Sequence, residues 1–198
     1  MSYRQIHGLI GIAISVVFFI GFWIIFLNYP DSFDKSKGLS IAAYPLMGLN
    51  DKSLVVFTVF TLLGLLNIIY CIGYLFPLSN HMTILVGKCF LLLSALQWCS
   101  FGFLPYSNES HLFLLRVISF NLTNLFGLFV LGMESKLISK SLSIRYYTLS
   151  TCALLLVLSI LGIMTLENHS FMRTNIMISL YFLWIGVNGM FQIREREN

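Results

Sequence analysis

Charged side chains are scarce in this chain. Asp, Glu, Lys and Arg make up 10% of its 198 residues, against about 25% in an ordinary soluble domain. That scarcity excludes a water-facing surface of the usual kind. Cysteine is rare as well: Cys71, Cys89, Cys99 and Cys152 form no CxxC pair for a metal or redox centre and no CxxCH for covalent haem. Free, buried, packing cysteines are the expectation. Catalytic signatures are missing too. With no G-x-S-x-G elbow and no H-E-x-x-H pair, neither a serine hydrolase nor a zinc protease is expected. Catalytic residues are therefore unassigned, and neither a metal nor a cofactor is expected.

What fills the chain is apolar. Hydrophobic residues reach 58% and the mean hydropathy is +0.86. Six runs stand out, at about 7–28, 53–76, 82–104, 111–133, 146–166 and 174–193. Each is long enough to cross a bilayer core of about 30 Å as a helix. The expected fold is an all-α integral membrane protein, a bundle of six transmembrane helices forming one membrane domain over residues 1–198. The first run carries only Arg4 ahead of it and meets no A-x-A-like site, so it reads as a retained helix rather than a cleaved leader.

Basic residues in short loops set orientation. Arg4, Lys136, Lys140, Arg145, Arg194 and Arg196 fall on one side, and Lys35, Lys37, Lys52 and Arg173 on the other. The six-to-four excess predicts that both termini are cytoplasmic. The longest connection, 29–52, holds Tyr29-Pro30 and Tyr44-Pro45 with Gly38 and Gly48, turn chemistry that predicts a folded outer cap. The net charge of +4, once sorted by membrane side, gives no reason to expect nucleic acid as a partner.

Within the runs, small and polar residues recur at helical spacing and predict the faces that build the bundle. These are Gly64, Asn67, Cys71 and Tyr74 in the second; Lys88, Ala95, Cys99 and Gly102 in the third; and Arg116, Ser119, Thr123 and Gly127 in the fourth. Thr148, Cys152, Ser159 and Gly162 follow in the fifth, and Tyr181, Trp184, Asn188 and Gln192 in the sixth. Lys88 and Arg116 break the charge segregation. Each lies five or six residues into its run, about 8 to 9 Å at 1.5 Å per residue, within snorkelling reach of the interface. Both nevertheless head a stripe that points inward.

Arg116 has polar company on the outer side: Glu109 and His111 precede it, and Glu167, His169 and Arg173 occupy the next outer loop. Carboxylates, imidazoles and guanidiniums above a bundle can pair with one another, hold an anionic headgroup, or act as acid and base. The four histidines, His7 and His81 at one side and His111 and His169 at the other, all sit at run ends, too shallow to shield a haem iron. The favoured function is binding, sensing or transport of a lipid or other anionic small molecule at the outer face, through Glu109, His111, Arg116, Glu167, His169 and Arg173. One alternative is an outward-facing enzyme acting on lipid or envelope substrates, with His111 and a glutamate as acid and base. Another is an accessory subunit whose membrane-protein partner supplies the chemistry. The bilayer is the one partner common to all three.

Several features taken together resemble a known family. They are the Tyr29-Pro30 exit from the first run, a Ser-containing outer loop ending near Gly48, and a long second run rich in Leu and Gly. To these are added Gly102-Phe103-Leu104-Pro105 and His111 opening the fourth run. The chain in this respect resembles the six-helix prokaryotic membrane proteins of the domain of unknown function 998 family. The resemblance implies six helices in a prokaryotic cytoplasmic membrane, and it implies no activity.

Overall fold

The computed structural model describes residues 3–28, 54–75, 81–103, 110–133, 142–164 and 171–194, with side chains described over 5–24, 27, 60–73, 81–100, 118–133, 142–161 and 176–194. These residues are helical almost throughout. We label the helices α1 (Tyr3–Asn28), α2 (Leu54–Tyr70), α3 (Met82–Phe103), α4 (Ser110–Met133), α5 (Leu142–Met164) and α6 (Phe171–Arg194). A π-helical turn, Cys71–Leu75, closes α2. The cap loop 29–52 lies outside the described residues.

Four helices are long and apolar enough to cross a membrane: α1, α3, α5 and α6, over Gln5–Ile24, Met82–Ser100, Leu142–Leu161 and Ile176–Arg194. The described apolar parts of α2 and α4 are shorter, Phe60–Gly73 and Ile118–Met133. Such helices mark a membrane protein, because only internally hydrogen-bonded backbone survives in hydrocarbon. Three helix starts differ by three or more residues from the sequence expectation, and one of them, α6 at Phe171 rather than 174, takes Arg173 out of the outer loop and into the helix. α5 begins at Leu142, not 146, because Ile144, 6% exposed, starts the inner face continued by Thr148, Thr151, Cys152 and Leu155. α1 begins at Tyr3, which places His7 inside the helix. His7 is accordingly buried at 7% exposure, not a residue at a helix end.

Each helix packs against the next in sequence, and α6 returns against α1, the most extensive pairing of all. Neighbours run antiparallel. Gly8 and Gly11 of α1 lie against Gly189, Ile185 and Ile193 near the end of α6; Gly87 of α3 lies against Val130 and Leu131 of α4; Gly132 of α4 lies against Thr148 and Leu149 of α5. The starts of α1, α3 and α5 therefore share one end of the bundle with the ends of α2, α4 and α6. We call this the terminal end, since it carries Tyr3 and Arg194, and its opposite the far end.

Missing side chains make the α1–α6 contact possible. A Cβ on Gly186 would stand 2.6 Å from Ser15 Cβ, and one on Gly189 would overlap the Gly8 carbonyl oxygen. Where lipid tails are as apolar as the core, association rests on such close backbone packing.

Mid-depth in the bundle is an aromatic layer. Trp98 of α3 stacks on Phe60 of α2 at 4.9 Å between centroids. It also meets Phe182 of α6 at 5.0 Å, Phe120 of α4 at 5.3 Å and Phe18 of α1 at 6.3 Å. Phe18 and Phe182 stack at 4.3 Å. All five rings are 2% exposed or less. Five of the six helices thus meet on one indole.

Candidate functional site

Three of the sequence-predicted outer residues belong to described helix backbone, and it places them at the far end. His111 and Arg116 fall in the first two turns of α4 and Arg173 in the first turn of α6. Both helices start at that end, and each has no acidic residue in its first turn. Glu109, Glu167 and His169 lie outside the described residues, as do the side chains of His111, Arg116 and Arg173.

The described polar groups are concentrated elsewhere. His7, Ser15, Asn67, Lys88, Ser94, Thr123, Asn124, Thr148, Thr151, Asn188 and Gln192 are all buried. In each helix that carries an aromatic-layer ring, these residues lie beyond the ring toward the terminal end. Ser15 precedes Phe18 in α1, Asn67 follows Phe60 in α2, Lys88 and Ser94 precede Trp98 in α3, and Asn188 and Gln192 follow Phe182 in α6.

Directly beneath the aromatics runs a chain of hydrogen bonds across four helices. Asn67 Nδ2 of α2 donates to the Tyr181 hydroxyl of α6 at 3.0 Å. Ser94 of α3 is a further side-chain partner of that hydroxyl, and Ser94 Oγ donates to Asn124 Oδ1 of α4. Cys71 Sγ donates to Asn67 Oδ1 at 3.8 Å. Buried amides and hydroxyls must find partners, and these find them on other helices, which fixes how the helices are rotated. Side bonds extend the pattern. Gln97 Nε2 donates to Ser119 Oγ at 2.6 Å and its Oε1 accepts from Thr123 at 3.1 Å, while Trp184 Nε1 donates to Thr148 Oγ1 at 3.0 Å. The stripes of Asn67, Thr123, Thr148, Tyr181 and Trp184 thus face the bundle interior.

Nearer the terminal end, Gln192 Nε2 donates to the Tyr70 hydroxyl at 3.0 Å, joining α6 to α2. Gln192 Oε1 is buried and has no hydrogen-bond partner among the described residues. Asn188 donates to its own helix, to Trp184 O at 3.0 Å. The His7 imidazole rests against Gly73 in the π-helical turn, where a Cβ would overlap the ring. π-turns of this kind gather at functional sites.

Lys88 is the charged member of this region, and it does not snorkel. Its side chain is 0% exposed. The exposed neighbours Leu85, Val86 and Cys89 mark the outward arc of α3, and Lys88 lies with Ile84, Gly87 and Leu91 on the buried arc. Helical register fixes its level. Gly64 faces Cys99; Lys88 lies eleven residues before Cys99 and Leu75 eleven after Gly64, so Lys88 stands level with the π-helical turn, which α3 contacts. Acidic residues are absent from all six described helices.

Of the cysteines, Cys71 and Cys152 are buried, as expected, and Cys99 is intermediate, but Cys89 is exposed on the lipid-facing side of α3. Position 89 follows the buried Lys88 by one residue, about 100° around the helix, which carries it out of the buried arc of Ile84, Gly87, Lys88 and Leu91.

Neither the π-turn nor the α1–α6 glycine contact is among the features read from the sequence. Gly8 and Gly11, with Gly186 and Gly189, at three-residue spacing were the available signal for the second. The first had none. Compared with protein-family profiles, characterised proteins and solved structures, the chain matches none.

Proposed function

We propose that the protein is a six-span membrane protein with cytoplasmic termini that recognises a lipid headgroup or other small anion at its far end. The carrying observation is that α4 and α6 both begin there. A helix start directs unbonded N–H groups and a partial positive charge outward, and each of these starts carries basic side chains, His111 and Arg116 on one and Arg173 on the other. Two such starts on one rim favour an anion. Phe120 of α4 meets Tyr181 of α6 at 5.9 Å, so the two helices touch across the interior.

Glu109, Glu167 and His169 complete the rim in this reading, as groups that orient the ligand or pair with unliganded arginines. The six-span topology rests on length: α4 has 24 residues, and α2 has 17 before its five-residue π-turn. The resemblance to the domain of unknown function 998 family belongs to the same proposal and supports a prokaryotic cytoplasmic membrane.

The test is retention of fluorescent anionic lipid by purified protein in mild detergent, for wild type, Arg116→Ala and Arg173→Ala. Loss of one charge-assisted contact of about 1.5 to 3 kcal/mol predicts at least about tenfold weaker binding for either variant. Equal affinity in all three rejects the reading. Reporter fusions at both ends test the topology, and a reporter active only outside the cell removes it.

A further inference from the structure

Independently of the far-end rim, we propose that the terminal half of the bundle holds a second, occluded site for a small oxyanion, anchored by Lys88 and reached only from the terminal end. Four observations converge on it. Lys88 is wholly buried, level with the π-helical turn and on the inward face of α3. Hydrogen-bonding groups of other helices gather at the same end: the Tyr70 hydroxyl, the Gln192 and Asn188 amides, and the His7 ring against Gly73. Gln192 is 4% exposed, and among the described residues its Oε1 is an unused acceptor. The aromatic layer around Trp98 closes the region toward the far end.

The chemistry of these groups selects the ligand class. An ammonium with hydroxyl and amide N–H donors suits a negatively charged oxygen cluster. A spare amide oxygen needs a donor, which a hydrogen phosphate, a phosphomonoester or another hydroxylated acid supplies and a fully deprotonated sulfate does not. Access must come past His7 and the π-turn. A π-turn already departs from the regular hydrogen-bond ladder, and Gly73 presents no side chain to the His7 ring, where a Cβ would overlap it.

Charge-selective thiol labelling tests this without knowledge of the natural ligand. In the full-length protein, with Cys71, Cys89, Cys99 and Cys152 replaced by Ala, Asn188→Cys is exposed to two methanethiosulfonate reagents of similar size, one bearing sulfonate and one trimethylammonium. Each is applied to sealed vesicles of either orientation. The expected result is reaction only from the side bearing the termini, with the sulfonate reagent at least about tenfold faster, the lower end of the enhancement a charged cleft provides. Lys88→Gln should abolish that preference while leaving the slower rate in place. Ile178→Cys, beyond the aromatic layer, should stay unlabelled from the terminal side. Ser94→Cys serves as a second reporter if Asn188→Cys does not give a monodisperse protein. No reaction at either reporter, equal rates for the two reagents, or a sulfonate preference that survives Lys88→Gln overturns the proposal. Inorganic phosphate should slow sulfonate labelling, and it should do so equally in Arg116→Ala, which separates this site from the far-end rim.

Discussion

Asn67 and Tyr181 are 114 positions apart in sequence and share a 3.0 Å hydrogen bond at the centre of the bundle. The bond joins α2 to α6, and Tyr181 carries it on to Ser94 of α3. A polar bond at this depth stabilises less than intuition suggests, because helices separated within a membrane also find partners for their polar groups. Tyr181→Phe and Asn67→Ala should each destabilise the fold, and a double-mutant cycle should give a coupling of about 0.6 to 2 kcal/mol. Reversible unfolding in mixed micelles measures it. A coupling indistinguishable from zero would mean that the two side chains are merely adjacent.

The glycine contact between α1 and α6 predicts a rescue. Gly186→Ala would bring a methyl to 2.6 Å from Ser15 Cβ, and overpacking of this kind costs about 1 to 3 kcal/mol. Ser15→Gly in the same protein should restore most of that loss. Gly132→Ala offers the contrast. Its new methyl would meet Leu149 Cδ2 at 2.7 Å, the end of a flexible side chain that can rotate away, so its cost should be clearly smaller. The three variants are compared by thermal unfolding in one detergent, and equal losses at Gly186 and Gly132 would contradict the packing described.

Much of this architecture was legible because hydrocarbon tolerates so little. Charge confined to short gaps gives the number of helices and approximate ends, and spacing near 100° per residue points Asn67, Tyr181 and Trp184 inward before any contact is known. The errors share a physical origin. Charge alone places Arg4 and Arg145 in loops, yet helix backbone continues past them, since the first turn of a helix accepts a charged residue that reaches the interface. By distance along the helix Lys88 is within snorkelling reach, while its place at the head of a stripe of small residues points it inward. Distance fixes reach, and the face of the helix fixes direction: Lys88 faces the bundle. The π-turn depends on how α2 meets α1 and α3, which a single segment does not encode. Glu109, Glu167 and His169, and the side chains of His111, Arg116 and Arg173, lie outside the described residues.

Thiol reactivity should separate the four cysteines. Cys89 is exposed, Cys99 intermediate, and Cys71 and Cys152 buried. A small apolar maleimide added to protein in detergent should label Cys89 first and Cys99 more slowly, with Cys71 and Cys152 reacting only after denaturation. Peptide mass mapping over time reads the order. Early labelling of Cys71 would place α2 with its Asn67 face outward, against the hydrogen bond to Tyr181.

Trp98 should be the most sensitive single position in the interior, because its ring meets partners on four other helices. In a soluble core, truncating Trp or Phe to Ala costs about 3 to 5 kcal/mol, part of it transfer from water and part the cavity left behind. Here the unfolded reference remains in an apolar solvent, so the transfer part shrinks while the cavity part persists, and the dispersion contacts of the indole are lost outright. Trp98→Ala should therefore lower stability by more than about 1 kcal/mol but less than the soluble figure. Trp98→Phe should keep the stack on Phe60 and recover roughly half of the loss. The same variants carry a second readout. Opening the aromatic layer should let aqueous thiol reagents applied from the terminal side label Ile178→Cys in the Trp98→Ala background and not with Trp98 intact. Labelling that is the same in both backgrounds would show that Trp98 is packing alone and that something else separates the two halves of the bundle.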